Sequence, residues 1–93
     1  VYILAKARNS TFYTGITSDL IKRVYEHKNG VTGGFTARYG IQHLVYYEIY
    51  DDPLTAIQRE KLIKKWRRSI KMEAIERMNP EWQDLAKEWF EDE

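Results

Sequence analysis

The side chains best suited to proton or phosphate chemistry are two tyrosines, an arginine, a histidine and a glutamate: Tyr2, Tyr13, Arg23, His27 and Glu60. A free tyrosine ionises near pH ~10, so it can act as a base only if a cation or a metal lowers that value. Histidine can move a proton near neutrality, and arginine can stabilise phosphate charge. A lone glutamate suits Mg²⁺, which often takes one protein carboxylate and fills its other positions with water and phosphate oxygens. Each residue also has a plain structural reading. Strands favour tyrosine, His27 can bond locally, Arg23 can lie along an apolar surface, and Glu60–Lys64 is an i,i+4 ion pair. Asn79 before Pro80 reads as a helix N-cap with proline at N1. His43 opens a strand and reads as structural.

These residues need elements to position them. Residues 1–7 and 12–17 are β-prone, and Arg8-Asn9-Ser10-Thr11 between them reads as a turn, which makes a hairpin. That turn pairs Ala7 with Phe12, Lys6 with Tyr13 and Leu4 with Gly15. Tyr2, Leu4, Lys6, Tyr13 and Gly15 then share one face, and Gly15 leaves a gap that a substrate could approach. Thr17 or Ser18 can cap a helix from Asp19 to Asn29, with Gly30 as its stop. On its wheel Leu20, Ile21 and Val24 form the apolar arc, with Arg23 and His27 at the edge. Residues 31–40 read as a glycine-rich loop and residues 43–50 as a third strand. Asp52-Pro53 opens a long helix to about Ile70. Its apolar arc holds Ala56, Leu62, Ile63, Trp66 and Ile70, opposite Lys61, Lys64, Arg68 and Lys71. Glu60 sits at the boundary, and Arg59 falls inside the apolar arc. A short helix over 72–78 and a last one over 81–90 follow. The order ββαβαα(α) predicts an α/β (α+β) fold: a three-stranded, largely antiparallel sheet flanked by helices.

The 93 residues suffice for one domain, expected over 1–93. Hydrophobic residues at 43% and charged residues at 31% indicate a globular rather than a disordered chain. No apolar run approaches the ~18 residues of a membrane span, so no membrane partner is expected, and the cytoplasm is the expected location. Without cysteine, disulfides and thiolate metal sites are excluded. The net charge of +1 hides an asymmetry. Residues 1–80 hold 14 Lys/Arg against 8 Asp/Glu, whereas residues 81–93 hold one Lys against six acids. A basic body suits a polyanionic partner. No nucleophile elbow, Walker loop or HExxH motif is present.

In combination these residues say more than they do singly. Tyr2-Ile3, the triplet Tyr13-Thr14-Gly15, then Arg23, His27, Glu60 and Asn79 resemble the GIY-YIG nuclease family in order and spacing. The stretch from Asp19 to His27 looks like that family's helix motif, and Asn79-Pro80-Glu81-Trp82-Gln83-Asp84-Leu85 like its terminal asparagine motif. The likeness covers nearly the whole chain and is greatest to small stand-alone bacterial members. Here the second triplet reads Tyr-Thr-Gly, no glycine precedes Tyr2, and Ile16 stands where some members carry lysine. The resemblance implies an endonuclease that hydrolyses a DNA phosphodiester, with DNA repair as an expected setting. Glu60 would hold one Mg²⁺, or Mn²⁺. Tyr13 or Tyr2, with His27, would prepare the water. Arg23 would stabilise charge and Asn79 would support the site. Gly15, Arg38, Tyr39, Lys64 and Arg68 are candidate substrate contacts.

Two other functions remain open at this stage. One is a non-catalytic nucleic-acid-binding module of the same fold, whose acidic tail inhibits it or recruits a partner. The other is an interaction domain that docks through Trp82, Trp89 and Phe90. With so little chain outside the expected core, a targeting protein partner could supply sequence preference.

Overall fold

The computed structural model describes residues 1–7, 11–31 and 34–90, with backbone alone at Phe35. The turn expected at 8–11 lies largely outside the described residues. The elements run β1 (Tyr2–Ala5), β2 (Phe12–Gly15), α1 (Leu20–Lys28), α2 (Gly34–Tyr39), β3 (His43–Tyr47), α3 (Pro53–Lys65) and α4 (Arg68–Met78). The sheet order is β2-β1-β3, and both pairings are antiparallel. This is the three-stranded α+β arrangement expected from the sequence.

The central strand explains the two-layered core. All of residues 1–5 are buried, and alternate side chains point to opposite faces. Val1, Ile3 and Ala5 join Val45, Ile63 of α3, Ile75 of α4 and Trp82 on one face. Tyr2 and Leu4 join Leu44, Val24 of α1, Ile41 and Ala86 on the other. A bulge in β3 opposite Ile3 and Leu4 lets consecutive Val45 and Tyr46 pack on the first face.

The hairpin register differs from the expected one by two residues. Tyr2 pairs with Gly15, Leu4 with Tyr13 and Ala5 with Phe12. An even shift preserves the face of every side chain, so Tyr2, Leu4, Tyr13 and Gly15 do lie together. Lys6 falls outside the ladder and is exposed.

Other boundaries moved for physical reasons. The cap of α1 is Asp19, whose carboxylate accepts from the Lys22 N–H at 3.1 Å. Residues 34–39, expected as loop, form a short helix between Gly34 and Gly40, at φ +68° and +65°. The strand β3 ends at Tyr47; the Glu48 N–H still donates to the Val1 carbonyl at 2.8 Å, and its carboxylate meets Arg59. The long helix breaks at Trp66 and Arg67, both extended (ψ 144° and 156°), and Trp66 folds back against the first face of the core.

No helix forms over 81–90, so Asn79 is not its cap. Asn79 instead ends α4, and Trp82 takes φ +55°. The Leu85 N–H donates to the Leu44 carbonyl at 2.7 Å, and the Leu44 N–H donates to Asp84 Oδ1 at 3.1 Å. Asp84 also pairs with Lys28 of α1. The segment therefore covers the otherwise unpaired edge of β3, which a helix there would leave open. Among the described residues no helix is long and apolar enough to cross a membrane.

Candidate active site

The site is built outward from Gly15. Because Tyr2 lies directly across from it, the Tyr2 ring extends over the glycine. A Cβ at Gly15 would stand 2.5 Å from both Tyr2 Cζ and Oη and 3.0 Å from Tyr13 Cε1. The gap expected to admit substrate is thus filled by Tyr2, and Gly15 is buried beneath it. The glycine serves the tyrosine.

Helix α1 brings the next group. Val24 packs into the second face, and His27, three residues on, points at the same tyrosines. The Tyr2 hydroxyl is 3.0 Å from His27 Nε2. The Tyr13 ring centre is 5.5 Å from that of His27 and 6.3 Å from that of Tyr2. Thr36 of α2 closes the back of the cluster, its Oγ1 2.9 Å from His27 Nδ1. Tyr2 is 0% exposed and Tyr13 half-buried.

Arg23 is half-buried on the same helix, with Nε 3.2 Å from Glu26 Oε1. Its charge acts on both Tyr2 and His27. Burial, reinforced by Tyr13, pushes Tyr2 up to about 12, and Arg23 pulls the other way. Burial lowers the histidine from its ordinary value, Arg23 lowers it further, and Glu26 opposes. At neutral pH the inner pair is therefore a phenol against a neutral imidazole. A hollow of about 140 Å³ lined by Thr17, Ser18, Asp19, Lys22, Arg23 and Glu26 adjoins this edge. A groove of about 820 Å³ between His43 and the Trp82–Trp89 segment holds none of the tyrosine cluster.

Glu60 comes from a different layer. Helix α3 packs its Ile63 on the face opposite the tyrosines. The Glu60 carboxylate is half-buried and pairs with Lys64 Nζ at 2.5 Å. Among the described residues no group of three or more His, Cys, Asp or Glu could hold a metal. The donor chemistry at Glu60 is one hard carboxylate oxygen with water and phosphate to complete the shell, which fits Mg²⁺ or Mn²⁺.

Arg59, anomalous on a helical wheel, has a clear role in the structure. Its Nε and Nη2 donate to Glu48 Oε1 and Oε2 at 2.9 and 2.7 Å, and its guanidinium lies 5.5 Å from the Trp66 ring centre. Tyr46 and Tyr50 donate to the same carboxylate. Burial alone would raise Glu48, but these hydrogen bonds outweigh it and hold Glu48 at about 2. The clamp ties the end of β3 to α3 one residue from Glu60.

Asn79 is buried, and its side chain binds backbone. Nδ2 donates to the carbonyls of Val45 (3.3 Å) and Gln83 (2.7 Å), and Oδ1 accepts from the Gln83 N–H at 3.0 Å. Arg38 and Tyr39 are exposed on α2, with the guanidinium 5.6 Å from the ring centre. Arg68 opens α4 and stacks on Phe12 at 4.3 Å, while Phe12 packs on Trp82. Burial lowers the Lys71 ammonium, and the neighbouring charges of Arg68 and Lys64 lower it further, so the three cations crowd one surface. Thr36, Arg59 and Lys71 complete these arrangements. The lysine patch had a sequence signal in the clustering of basic residues on one side of the helix, and Arg59 had one in its place inside the apolar arc; Thr36 had none.

A two-faced α+β sheet with paired tyrosines, a histidine and an arginine on one helix, and a glutamate on another defines a class of small nuclease domains. A family model described as the GIY-YIG catalytic domain matches residues 1–74. The chain belongs to the GIY-YIG family. That family carries a nuclease-type function on nucleic acid and is in general metal-dependent. A UPF0213 protein of Clostridium perfringens is 36% identical over 88 residues, covering 95% of this chain and 94% of that protein. UPF0213 proteins of Staphylococcus saprophyticus and Staphylococcus aureus are 35% and 36% identical over 75 residues, covering 81% of this chain and 90% of each. No solved structure matches the chain significantly.

Proposed function

We propose that this chain is an endonuclease that hydrolyses a phosphodiester of DNA. The observation that carries the reading is the convergence of Tyr2, Tyr13 and His27 over Gly15, beside the charge of Arg23. A purely structural core gains nothing from setting a buried phenol and a half-buried one against a histidine where apolar rings would pack as well.

The residues divide by depth. Tyr13, the half-buried tyrosine, faces the attacking water. Tyr2 lies behind it with its hydroxyl against His27 Nε2, an acceptor for a proton passed inward. Arg23 faces the hollow at the start of α1 and stabilises charge on the phosphate. Glu60 would hold one divalent cation, Mg²⁺ or Mn²⁺, which when bound withdraws charge from the phosphate and lowers the pKa of water. Lys64, 55% exposed, would exchange its partner Glu60 for a phosphate oxygen. Asn79 supports the site by fixing the end of α4 to β3 rather than by touching substrate. Arg38 and Tyr39 grip the DNA backbone on one side of the site, and Lys64, Arg68 and Lys71 on another.

The Glu60–Lys64 pair is also what a non-catalytic binding module would show. The two readings separate when duplex, branched and single-stranded DNA are incubated with the chain and Mg²⁺ or Mn²⁺. Cleavage should appear, and Glu60→Ala should abolish it at unchanged affinity. Tyr13→Phe should reduce kcat more than Tyr2→Phe. Salt-sensitive binding with no product from any substrate and either metal would leave the binding module.

A further inference from the structure

His27 is held at both ring nitrogens, Nε2 at 3.0 Å from the Tyr2 hydroxyl and Nδ1 at 2.9 Å from Thr36 Oγ1. Both His27 and Thr36 are 3% exposed, so water does not mediate freely between alternatives. A neutral imidazole has one N–H and one lone pair. The role of one nitrogen therefore fixes the role of the other.

A threonine hydroxyl can donate or accept, and so can a phenol. The asymmetry comes from the charges around them. Among the described groups that face the ring are Tyr2 from β1, Tyr13 from β2, Thr36 from α2, and Arg23 and Glu26 from its own helix. The Arg23 cation also acts on Tyr2. A cation beside a phenol attracts the oxygen lone pairs and turns the O–H dipole away from itself. Arg23 can only donate, so its hydrogen bond to the phenol oxygen takes a lone pair and leaves the O–H for an acceptor, which Nε2 at 3.0 Å supplies. Nε2 then accepts, and the ring proton resides on Nδ1.

We propose that Thr36 is a positioning residue of the site: its hydroxyl oxygen accepts the His27 Nδ1–H, which keeps Nε2 unprotonated and aimed at the Tyr2 hydroxyl. The choice of threonine matters. A carboxylate at Nδ1 would stabilise an imidazolium, whereas a neutral hydroxyl orients the ring and leaves it uncharged. The short helix α2 exists to deliver this group. Glycines at positive φ bracket it, the Ile41 N–H donates to the Thr36 carbonyl at 2.9 Å, and Ile41 is buried in the second face of the core.

This inference rests on the nuclease reading of the tyrosine cluster, but its primary test does not need activity. Nitrogen-15 NMR of the ring of His27 in the full chain at neutral pH distinguishes the tautomers. The expected result is a protonated Nδ1 and an unprotonated Nε2, retained in Thr36→Ser and shifted toward protonated Nε2 in Thr36→Val. In cleavage assays Thr36→Val should lose kcat on the order of tenfold with KM unchanged, and Thr36→Ser should restore it. A protonated Nε2 in the wild-type chain overturns the proposal even if no variant folds, and so does an unshifted tautomer in folded Thr36→Val. If the tautomer is as expected but no DNA is cut, the nuclease reading fails and the assignment to Thr36 stands.

Discussion

A methyl group on Gly15 would stand 2.5 Å from Tyr2 Cζ and Oη, and Tyr2 has nowhere to go because it is fully buried and bonded to His27. Gly15→Ala should therefore displace the tyrosine, break the Tyr2–His27 bond and cost about 1–3 kcal/mol. Denaturant titration would measure the loss, and NMR titration of His27 would show a pKa moved back toward its ordinary value. Wild-type stability with an unchanged His27 titration would contradict this. Thr14, between the two motif residues Tyr13 and Gly15, points to the opposite face. Its Oγ1 is buried with no hydrogen-bond partner among the described residues. Thr14→Val should stabilise the fold by about 1 kcal/mol and leave the tyrosine cluster intact, because it removes an unsatisfied hydroxyl without changing volume. A loss of stability on denaturation would show that the hydroxyl does have a partner. The sharing of a face by Tyr2, Tyr13 and Gly15 was legible in the sequence because strand alternation survives an even register shift. Thr36 was not legible, since a single threonine in a glycine-rich stretch has no periodicity to mark it.

Two helices turn differently from what hydropathy predicts, and both turn toward polar residues. In α1, Ile21 is 58% exposed while His27 is buried. In α3, Leu62 is 48% exposed while Arg59 and Glu60 are half-buried. A wheel weighs each residue by its own transfer free energy and cannot see that Tyr2 waits for His27 or that Glu48 waits for Arg59. The same blindness hid the covering of the β3 edge, where the partners Leu44 and Asp84 are far apart in sequence. The Arg59–Glu48 clamp gives a test at this scale. Glu48 is held at about 2 against an ordinary 4.5, so its contribution to stability is present above pH 4.5 and is lost as pH falls toward 2. Arg59→Leu should cost about 1–3 kcal/mol at pH 7, an amount moderated by the partial exposure of the pair, and the difference from wild type should shrink by pH 2. Equilibrium unfolding at several pH values checks this. A difference independent of pH would mean that the arginine acts through packing on Trp66 alone.

The molecule as a whole separates its charges. Lys64, Arg68 and Lys71 share one surface, where burial first and the charges of Arg68 and Lys64 second lower the Lys71 ammonium. Binding of DNA should weaken linearly in log–log salt plots, and Arg68→Ala and Lys71→Ala should each reduce the slope by about one. Fluorescence anisotropy across a salt series measures it, and unchanged slopes would place the DNA elsewhere. The fold class followed directly from the order of strands and helices, because a three-stranded sheet with two apolar faces requires helices on both. The location of Glu60 relative to the tyrosines did not follow, since it depends on how α3 is clamped at Glu48. The most direct measurement of the central claim is nicking of supercoiled plasmid by wild type and Glu60→Gln at equal DNA occupancy, with Mg²⁺ and with chelator. The account predicts nicked product only for wild type with Mg²⁺. Equal nicking by Glu60→Gln, or nicking by wild type in chelator, would contradict it.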